Sequence, residues 1–495
     1  MNGGPMTSLV DIYRTPLALS TDLYQLTMAY AYWRAGRADT ESIFHLYFRK
    51  NPFGGGYTVA CGLHRAIAYL DALRFDESDL TYLAELVGND GSPLFDRAFL
   101  DELRAFSFSC DVDAVTEGTV VFPQEPLVRV QGPIAQCQLI ETFLLNALNF
   151  ESLVATKATR IAHAARGEPV LEFGLRRAQG LDGALSASRA AYVGGAAGTS
   201  NVLAGKHLGI PVRGTHAHAW VMLFENELEA FERYADALPN NCIFLVDTYD
   251  SLRGVDHAIQ VGRRLREAGY MLSGIRLDSG DLAYLSREAR KRLDAAGFEA
   301  TRIVASNDLD ERLIASLKAQ GAAISTWGVG TQLVTAFDQP ALGGVYKLAA
   351  IKDAHGQWHP RIKLSEQAVK TSIPGRLQVR RYESSEGFVA DLIYDELREL
   401  PGTGEMVDPF DPTRRRSYPS AESSTDLLTP IFRGGERVYD PPTLDAVRAH
   451  REAQVRKLHP GLTRFDNPHE YPVGLEYGAY RSRNALIMRL RGHHE

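Results

Sequence analysis

Six segments of the chain place side chains that can bind anions or transfer protons directly after a short apolar run. These segments are residues 173–177, 214–218, 247–250, 276–281, 306–308 and 328–331. Each segment alone has an ordinary structural explanation, because strand ends need turn residues and the helices that follow need Asp, Ser or Asn as caps. Six consecutive segments that carry Arg, His and Asp are not explained by turns alone. Together they indicate one site built from several loops.

Basic side chains and glycines in these segments indicate a phosphorylated substrate. Arg176 and Arg276 can each form forked hydrogen bonds with a phosphate or a carboxylate. Gly328 and Gly330 allow backbone N–H groups to approach a phosphate, and Thr331 adds a hydroxyl. The pattern is typical of an enzyme that acts on a phosphorylated or diphosphorylated sugar together with an anionic co-substrate.

Two aspartates and two histidines lie among these cations. Asp247 and Asp278 suit Mg²⁺ bound with a diphosphate, or sugar hydroxyls. A histidine in a phosphate site can act as a general acid or base, or as a nucleophile that becomes phosphorylated, and this applies to His216 and His218. A metal site on this His-x-His pair is the alternative, although the sequence offers no obvious third ligand of the usual kind.

Alternating strands and helices after about residue 140 explain how these segments could meet. The predicted strands are 169–173, 210–213, 243–246, 271–277, 302–305, 323–326 and 344–351, and the predicted helices lie near 182–193, 219–235, 254–268, 281–296 and 309–320. Six or seven such units favour a closed or partly closed β/α barrel over an open doubly wound sheet. A barrel of this kind has its active site at the carboxyl ends of its strands.

The remaining chain predicts further domains, since 495 residues are too many for one hydrophobic core. Residues 1–140 have an α+β pattern, with a helix at 18–36 and a strand at 42–49. Residues 141–351 form the barrel. Residues 352–495 are expected to be a returning segment with a helical tail at 443–458.

Composition excludes several functional classes. A net charge of −7 argues against a general nucleic-acid binder, which needs a basic face. Residues 1–10 lack the basic and apolar regions of a signal peptide, and no apolar run reaches the length of a membrane span. The four cysteines form no Cys-x-x-Cys motif and suit reduced thiols. We therefore expect a cytoplasmic protein.

Ten segments of the chain resemble the nicotinate phosphoribosyltransferases. They are TDLYQLTMAYAYW (21–33), FRKNPFGGGY (48–57), EFGLRRAQG (172–180), GTSNVLAGKHLGIPVRGTHAHAW (198–220), LVDTYDS (245–251), GIRLDSGDL (274–282), VASNDLDE (304–311), WGVGTQLVT (327–335), GGVYKLAAI (343–351) and IKLSEQAVKTSIPG (362–375). They run in order over most of residues 20–375, so chance is not an explanation for the match.

The resemblance implies both an activity and a fold. The family joins nicotinate to 5-phosphoribosyl 1-diphosphate, releases diphosphate, and so performs the first step of NAD salvage from nicotinate. It couples this transfer to ATP hydrolysis through a phosphohistidine, which places it among the ligases. The implied fold is α/β: an irregular β/α barrel with an α/β sandwich built from the N-terminal region and the returning chain. The implied assembly is a homodimer in which the partner completes each active site.

The resemblance also implies roles for individual residues. His218 matches the phosphorylated histidine, whereas His216 falls on a variable position of the motif. Thr215 and Arg276 match contacts to nicotinate, with Arg276 as the partner of its carboxylate. The remaining implied residues are Tyr24 and Phe173 at the pyridine ring, Arg176, Ser306, Gly330 and Thr331 on the substrate, and Asp247 and Asp278 with Mg²⁺ or the ribose.

Three alternatives remain open at this point. A nicotinamide phosphoribosyltransferase would share the fold and prefer the amide. A non-catalytic sensor would bind the sugar diphosphate without turnover. An aldolase-like barrel enzyme needs a lysine at a strand end for a Schiff base, and the six segments contain none.

Overall fold

The computed structural model describes residues 17–367, 370–419 and 421–492 and contains three large β-sheets. Residues 1–10, on which the expectation of no signal peptide rests, lie outside the described residues. No helix in the described part of the chain has both the length and the apolar character needed to cross a membrane. All four cysteines are free and buried.

One sheet is entirely parallel and has six strands. Across the sheet the order is Gly198–Thr199, Val170–Glu172, Thr326–Val329, Arg302–Ala305, Gly274–Leu277 and Ile243–Leu245. This order is that of a ring opened between its first and last strands. Within the described ranges no hydrogen-bonded ladder joins those two edges, so the structure supports a mixed α/β fold with a parallel sheet, and the predicted closed or partly closed barrel is not confirmed.

The predicted strand 210–213 is wrong. The segment contributes only an isolated bridge between Val212 and Thr199, next to the short strand Gly198–Thr199. Pro211 explains the difference, because it lacks the N–H that a strand inside a ladder must donate. Its carbonyl still accepts a hydrogen bond from the Thr199 N–H at 3.0 Å.

Helices follow these strands, as the alternating pattern predicted. They are Leu181–Val193, Val202–Leu208, His218–Met222, Glu227–Ala237, Ser251–Glu267, Leu282–Ala295, Glu311–Ala319 and Thr331–Val334. The single helix predicted at 219–235 is instead two, because Asn226 caps a new helix by accepting the Glu229 N–H. Asp250, Asp281 and Asp310 are also N-caps, so the structural explanation holds for these three acidic residues.

The second sheet, here called the N-terminal sheet, is antiparallel and has seven strands. Their order is Trp358–Pro360, Val345–Lys352, Glu41–Tyr47, Val128–Pro133, Asp111–Val115, Leu428–Arg433 and Glu436–Arg437. The predicted strand 344–351 therefore pairs with Glu41–Tyr47 and not with the parallel strands. Its alternating pattern predicted a strand but contained no signal for the pairing partner. Residues 428–437 of the returning chain complete the sheet.

The third sheet lies in the region after residue 376 and was not predicted. Its strands, in spatial order, are Arg415–Ser417, Glu405–Val407, Val473–Glu476, Gly387–Asp395, Leu377–Ser384 and Ser423–Asp426. Helices Leu444–Arg456 and Tyr477–Leu490 also lie in this region, the first close to the predicted helical tail. Many prolines and charges in the segment hide the alternating apolar pattern from which strands are predicted.

The remaining elements form the N-terminal part and the long helix behind the parallel sheet. The helices are Leu23–Arg34, Leu63–Ala72, Glu77–Glu85, Arg97–Arg104, Ile134–Leu139 and Glu141–Ala165, and a small hairpin pairs Thr58–Val59 with Val120–Val121. Helix Glu141–Ala165 is mostly buried and contacts both the N-terminal part and the helices around the parallel sheet. It therefore connects the two halves of the molecule.

Candidate active site

A cavity of about 490 Å³ opens at the carboxyl ends of the parallel strands. Its lining comes from five of the six segments singled out in the sequence, and this is where the ends of parallel strands converge. The predicted site residues that line it are Phe173, Arg176, Thr215, His218, Arg276, Asp278, Ser306, Gly330 and Thr331. Asp247 and Tyr24 are not part of the lining.

Arg276 is a largely enclosed cation in this cavity, with its side chain 15% exposed. Its Nη1 donates to the Thr215 hydroxyl at 2.7 Å, and its Nη2 lies 3.7 Å from Asp278 Oδ1. Burial lowers the pKa of the guanidinium, while Asp278 and Asp247 oppose that shift. The buried Nε has no hydrogen-bond partner among the described residues. The guanidinium is thus held at the cavity lining through Nη1, and Nη2 makes no hydrogen bond among the described residues.

Asp278 and Asp247 follow two neighbouring strands, and only the Asp278 carboxylate lines the cavity. Asp278 lines the cavity and accepts a short hydrogen bond from the Ser306 hydroxyl through Oδ1. Asp247 lies behind it, where its Oδ2 accepts the Asp278 N–H at 2.9 Å and the Ser279 hydroxyl at 2.6 Å. Asp247 Oδ1 is buried without a hydrogen-bond partner in the described part of the chain. Asp247 therefore positions Asp278 and does not face the cavity itself.

His218 is the first residue of helix His218–Met222 and presents one ring nitrogen to this acidic group. Its Nδ1 lies 3.1 Å from the Thr248 hydroxyl, and its Nε2 lies 3.9 Å from Asp278 Oδ2. When Nδ1 carries the proton and donates to Thr248, Nε2 keeps its lone pair on the cavity side. Thr248 was not singled out in the sequence, although it stands next to Asp247.

His216 has a different environment from His218. Its Nε2 accepts the Leu245 N–H at 3.2 Å, and its ring packs against Tyr234 and Phe244. Burial lowers the pKa of His216 to about 4, so the ring is neutral at physiological pH. Its hydrogen bond and packing give His216 a structural role and match its variable position in the motif.

We expect His216 to make folding sensitive to mild acid. Its pKa is about 4 in the folded protein against the ordinary 6.5, so the unfolded chain binds more protons between those values. Stability is therefore full above pH 6.5 and falls as the pH drops towards 4. Urea midpoints at about pH 7 and about pH 5 should differ less for His216→Gln than for the wild type. Equal differences in both proteins would contradict the neutral assignment.

Phe173 forms an aromatic wall of the cavity, and a glycine makes room for it. A Cβ built on Gly328 would lie 2.8 Å from the Phe173 ring, closer than real side chains approach. Gly328 belongs to strand Thr326–Val329, whereas Gly330 follows that strand and precedes helix Thr331–Val334. Gly328 thus gives space to the ring, and Gly330 with Thr331 is the part of the Gly-x-Gly-Thr turn that remains available to a phosphate.

Glu172 is a buried carboxylate that the sequence analysis missed. It is 0% exposed and accepts hydrogen bonds from the Gly174 N–H, the Ser188 hydroxyl at 2.8 Å and the Thr199 hydroxyl at 2.5 Å. These bonds fix the turn after Phe173 and the turn after Thr199 relative to each other. An acidic residue in an otherwise apolar strand was the available signal, because a buried charge has to be fully hydrogen-bonded.

Tyr24 lies on helix Leu23–Arg34, where the residue is 48% exposed. The structure does not bring it to the cavity of its own chain. Its proposed contact with the pyridine ring therefore requires a second copy of the chain.

Family models and related proteins of known sequence all match this chain to the same family. Three family models match: the nicotinate phosphoribosyltransferase N-terminal domain over residues 19–149, the nicotinate phosphoribosyltransferase family over 169–382, and the nicotinate phosphoribosyltransferase C-terminal domain over 376–483. A nicotinate phosphoribosyltransferase of Bacillus subtilis is 43% identical over 482 residues, which cover 96% of each chain.

Solved structures agree with the family models. The crystal structure of human nicotinic acid phosphoribosyltransferase has a TM-score of 0.83 at 34% identity and covers 94% of this chain and 99% of its own. A nicotinate-nucleotide pyrophosphorylase from Pyrococcus furiosus has a TM-score of 0.69 at 21% identity, covers 92% of this chain and 99% of its own, and supports the fold alone. The chain belongs to the nicotinate phosphoribosyltransferase family.

Proposed function

We propose that the chain transfers a phosphoribosyl group from 5-phosphoribosyl 1-diphosphate to nicotinate, with release of diphosphate. The observation that carries this proposal is Arg276 in the cavity lining, whose Nη1 is fixed by Thr215 and whose Nη2 makes no hydrogen bond among the described residues. A carboxylate is the ligand that suits such a guanidinium, because two parallel N–H···O bonds match its geometry.

The aromatic half of the substrate also has a partner in this cavity. Phe173 lines the cavity together with Arg276 and Thr215, so a flat ring with a carboxylate can stack on one and bind the others. A nicotinamide ring would stack equally well, but its amide nitrogen would face a donor and not an acceptor. This polarity favours the acid over the amide.

The wall formed by the loops after the two strands that lie between those of Phe173 and Arg276 supplies groups for the sugar and its phosphates. Ser306, Asn307 and Asp308 follow one strand, and Gly330 and Thr331 follow the next. Arg176 lines the cavity and is exposed, so it can move onto a bound phosphate. These groups offer hydroxyls, a backbone amide, a carboxylate and a cation, which together suit a ribose with anionic substituents.

The transfer itself needs positioning more than a protein nucleophile. The lone pair of the pyridine nitrogen attacks C1 of the ribose as the bond from C1 to the diphosphate oxygen breaks, and diphosphate leaves with that electron pair. Positive charge develops on the ribose and negative charge on the leaving group. Asp278 lies where it can face the first, and Arg176 where it can face the second, which is electrostatic catalysis.

His218 is the residue that ATP phosphorylates in this proposal. The Nε2 lone pair attacks the γ-phosphorus, the bond to the bridging oxygen breaks, and ADP leaves. Thr248 supports this by holding Nδ1 at 3.1 Å, and Asp278 lies 3.9 Å from Nε2, where it can orient the ring. The phosphorylated histidine would add negative charge to a cavity that already contains Arg276 and Arg176, and would reorganise their contacts before the sugar diphosphate binds.

Asp278 and Asp247 could supply only part of the coordination of a Mg²⁺ ion. Asp278 faces the cavity, and Asp247 Oδ1 behind it has no partner in the described part of the chain. Among the described residues, three potential metal ligands come close together at Cys61, Glu117 and Glu151 and at Asp310, Glu311 and Asp338, but not at Asp278. Oxygen atoms of the substrate would therefore have to complete the coordination of an ion at Asp278. That is how Mg²⁺ commonly binds phosphates. The ion would supply charge neutralisation to the departing diphosphate.

A homodimer is part of the proposal. Large apolar side chains are exposed around the cavity end of the parallel sheet, including Leu175, Leu181, Met222, Leu223, Tyr249 and Phe337. Exposed apolar surface of this kind is typical of an interface. A second copy seated there could bring Tyr24 to the pyridine ring. We place the protein in the cytoplasm, at the first step of NAD salvage from nicotinate.

One reaction tests the main proposal. Purified protein is given nicotinate, 5-phosphoribosyl 1-diphosphate and ATP labelled in the γ-phosphate, and mononucleotide, diphosphate and acid-labile label on the protein are followed together. We expect mononucleotide and diphosphate in equal amounts, with label on His218. Binding of the sugar diphosphate without any product would support the sensor and overturn the enzyme.

A further inference from the structure

Lys157 is a fully buried cation in the middle of helix Glu141–Ala165, away from the cavity lining. Its Nζ lies 2.8 Å from Glu311 Oε2 and 2.6 Å from Asp338 Oδ2. Arg160, one turn further along the helix, donates from Nε to Glu311 Oε1 at 2.8 Å. A buried ammonium is stable only where carboxylates pair with it, and removing one partner of such a pair is costly.

The two carboxylates end two segments that begin in the cavity. One segment runs from Ser306 through Asn307 and Asp308 to Glu311, the first residue of helix Glu311–Ala319. The other runs from Gly330 and Thr331 through the short helix Thr331–Val334 to Asp338. Lys157 thus joins the far ends of both loops that form the wall proposed for the sugar and its phosphates.

Both segments contain residues in the left-handed backbone region that are not glycine. Asn307 has φ 101°, Asp308 has φ 42° and Ala336 has φ 46°. Such conformations cost of order 1–3 kcal/mol each and persist only where the surrounding structure holds them. The positions of the cavity-facing groups in these loops therefore depend on how firmly the loop ends are fixed.

A third strained segment, around Phe53, also contacts Lys157. Phe53 has φ 59°, its N–H donates to Gln339 Oε1 at 3.1 Å, and its ring lies 5.1 Å below Lys157 Nζ. Gln339 directly follows Asp338, so the loop around Phe53 is attached to the second segment as well as to the cation. A cation over an aromatic face adds an attraction that desolvation strengthens.

We propose that Lys157 is a positioning residue for the phosphoribosyl half of the active site. It acts through Glu311 and Asp338, and it fixes the loops at 306–308 and 330–331. The inference rests on the proposed function. Thr215 and Arg276, which are proposed to bind nicotinate, make no direct contact with Lys157, Glu311 or Asp338 among the described residues, and their link to the loop at 306–308 runs through Asp278, which accepts the Ser306 hydroxyl and lies 3.7 Å from Arg276. Loosening the cluster should therefore weaken binding of the sugar diphosphate more than binding of nicotinate.

Asp338→Asn is the decisive variant, because the Asp338 side chain is 43% exposed and its loss does not empty the core. Steady-state rates are measured with each substrate varied in turn, well below the melting temperature, and Kd for 5-phosphoribosyl 1-diphosphate is measured by calorimetry. We expect KM and Kd for the sugar diphosphate to rise about fivefold or more, with KM for nicotinate within about twofold of the wild type. Lys157→Met should shift them in the same direction and further.

Lys318→Met is the matched control. Lys318 lies at the other end of helix Glu311–Ala319 and pairs with Glu168 at 2.7 Å, remote from the cavity. It should lower the melting temperature without changing either KM. An unchanged KM for the sugar diphosphate in Asp338→Asn, or equal rises for both substrates, would overturn the inference while leaving the proposed function intact. A wild-type chain that binds no sugar diphosphate would overturn both.

Discussion

Replacing Arg276 with alanine should lower kcat/KM for nicotinate about a hundredfold or more, which corresponds to about 3 kcal/mol. The variant leaves the carboxylate of nicotinate without its charged partner in an enclosed cavity, and it leaves Asp278 without the cation 3.7 Å away. The loss should appear mainly in KM for nicotinate, because the sugar diphosphate binds other loops. Steady-state kinetics with each substrate varied separately measure this split.

Two variants sharpen the interpretation of that result. Arg276→Lys keeps the charge and loses the forked geometry, so it should recover only part of the activity. Arg302→Ala removes an exposed arginine at the opposite end of the neighbouring strand and should change neither KM. A normal KM for nicotinate in Arg276→Ala would remove this residue from the carboxylate role.

Replacing His218 with alanine should abolish acid-labile phosphate on the protein and the stimulation of product formation by ATP. The variant removes Nε2, the ring nitrogen that lies 3.9 Å from Asp278 Oδ2, and leaves the proposed nicotinate contacts Thr215 and Arg276 in place. Transfer without ATP should therefore stay within about threefold of the wild type. Labelled ATP and product assays with and without ATP give both readouts.

His207 provides the control for this experiment. It lies in the last turn of helix Val202–Leu208, is exposed, and is absent from the cavity lining. His207→Ala should keep both the label and the ATP stimulation. A His218→Ala protein in which ATP hydrolysis is still coupled to product formation would rule out the phosphohistidine at this position.

The sequence predicted most of the parallel strands because each is short, apolar and followed by a turn and a helix, but it placed strand Thr326–Val329 at 323–326 and missed Gly198–Thr199. It failed at residues 210–213, where Pro211 removes a donor, and at strand Val345–Lys352, which pairs with the N-terminal sheet. Strand pairing depends on contacts between distant parts of the chain, and a local pattern does not encode the partner. The third sheet was missed because prolines and charged residues interrupt the apolar alternation from which strands are predicted.

Site residues at strand ends were predictable from the sequence. Residues that support the cavity lining without being part of it were not. Arg276, Asp278 and Ser306 meet at the cavity because parallel strands align their carboxyl ends. Asp247 was predicted to have a Mg²⁺ or ribose role, which stays a prediction, and its contact with the backbone N–H of Asp278 was not foreseen. Glu172 and Lys157 escaped notice because a buried charge in an apolar segment shows its purpose only when its partners, far away in the sequence, are known.

The central claim is acid-specific phosphoribosyl transfer in the cavity around Arg276. Its most direct test offers the purified protein equal concentrations of nicotinate and nicotinamide with 5-phosphoribosyl 1-diphosphate and ATP, and separates the two mononucleotides. We predict that nicotinate mononucleotide exceeds the amide product about a hundredfold or more, since the amide is uncharged and offers the guanidinium one acceptor oxygen where the carboxylate offers two. A predominance of nicotinamide mononucleotide would contradict the account.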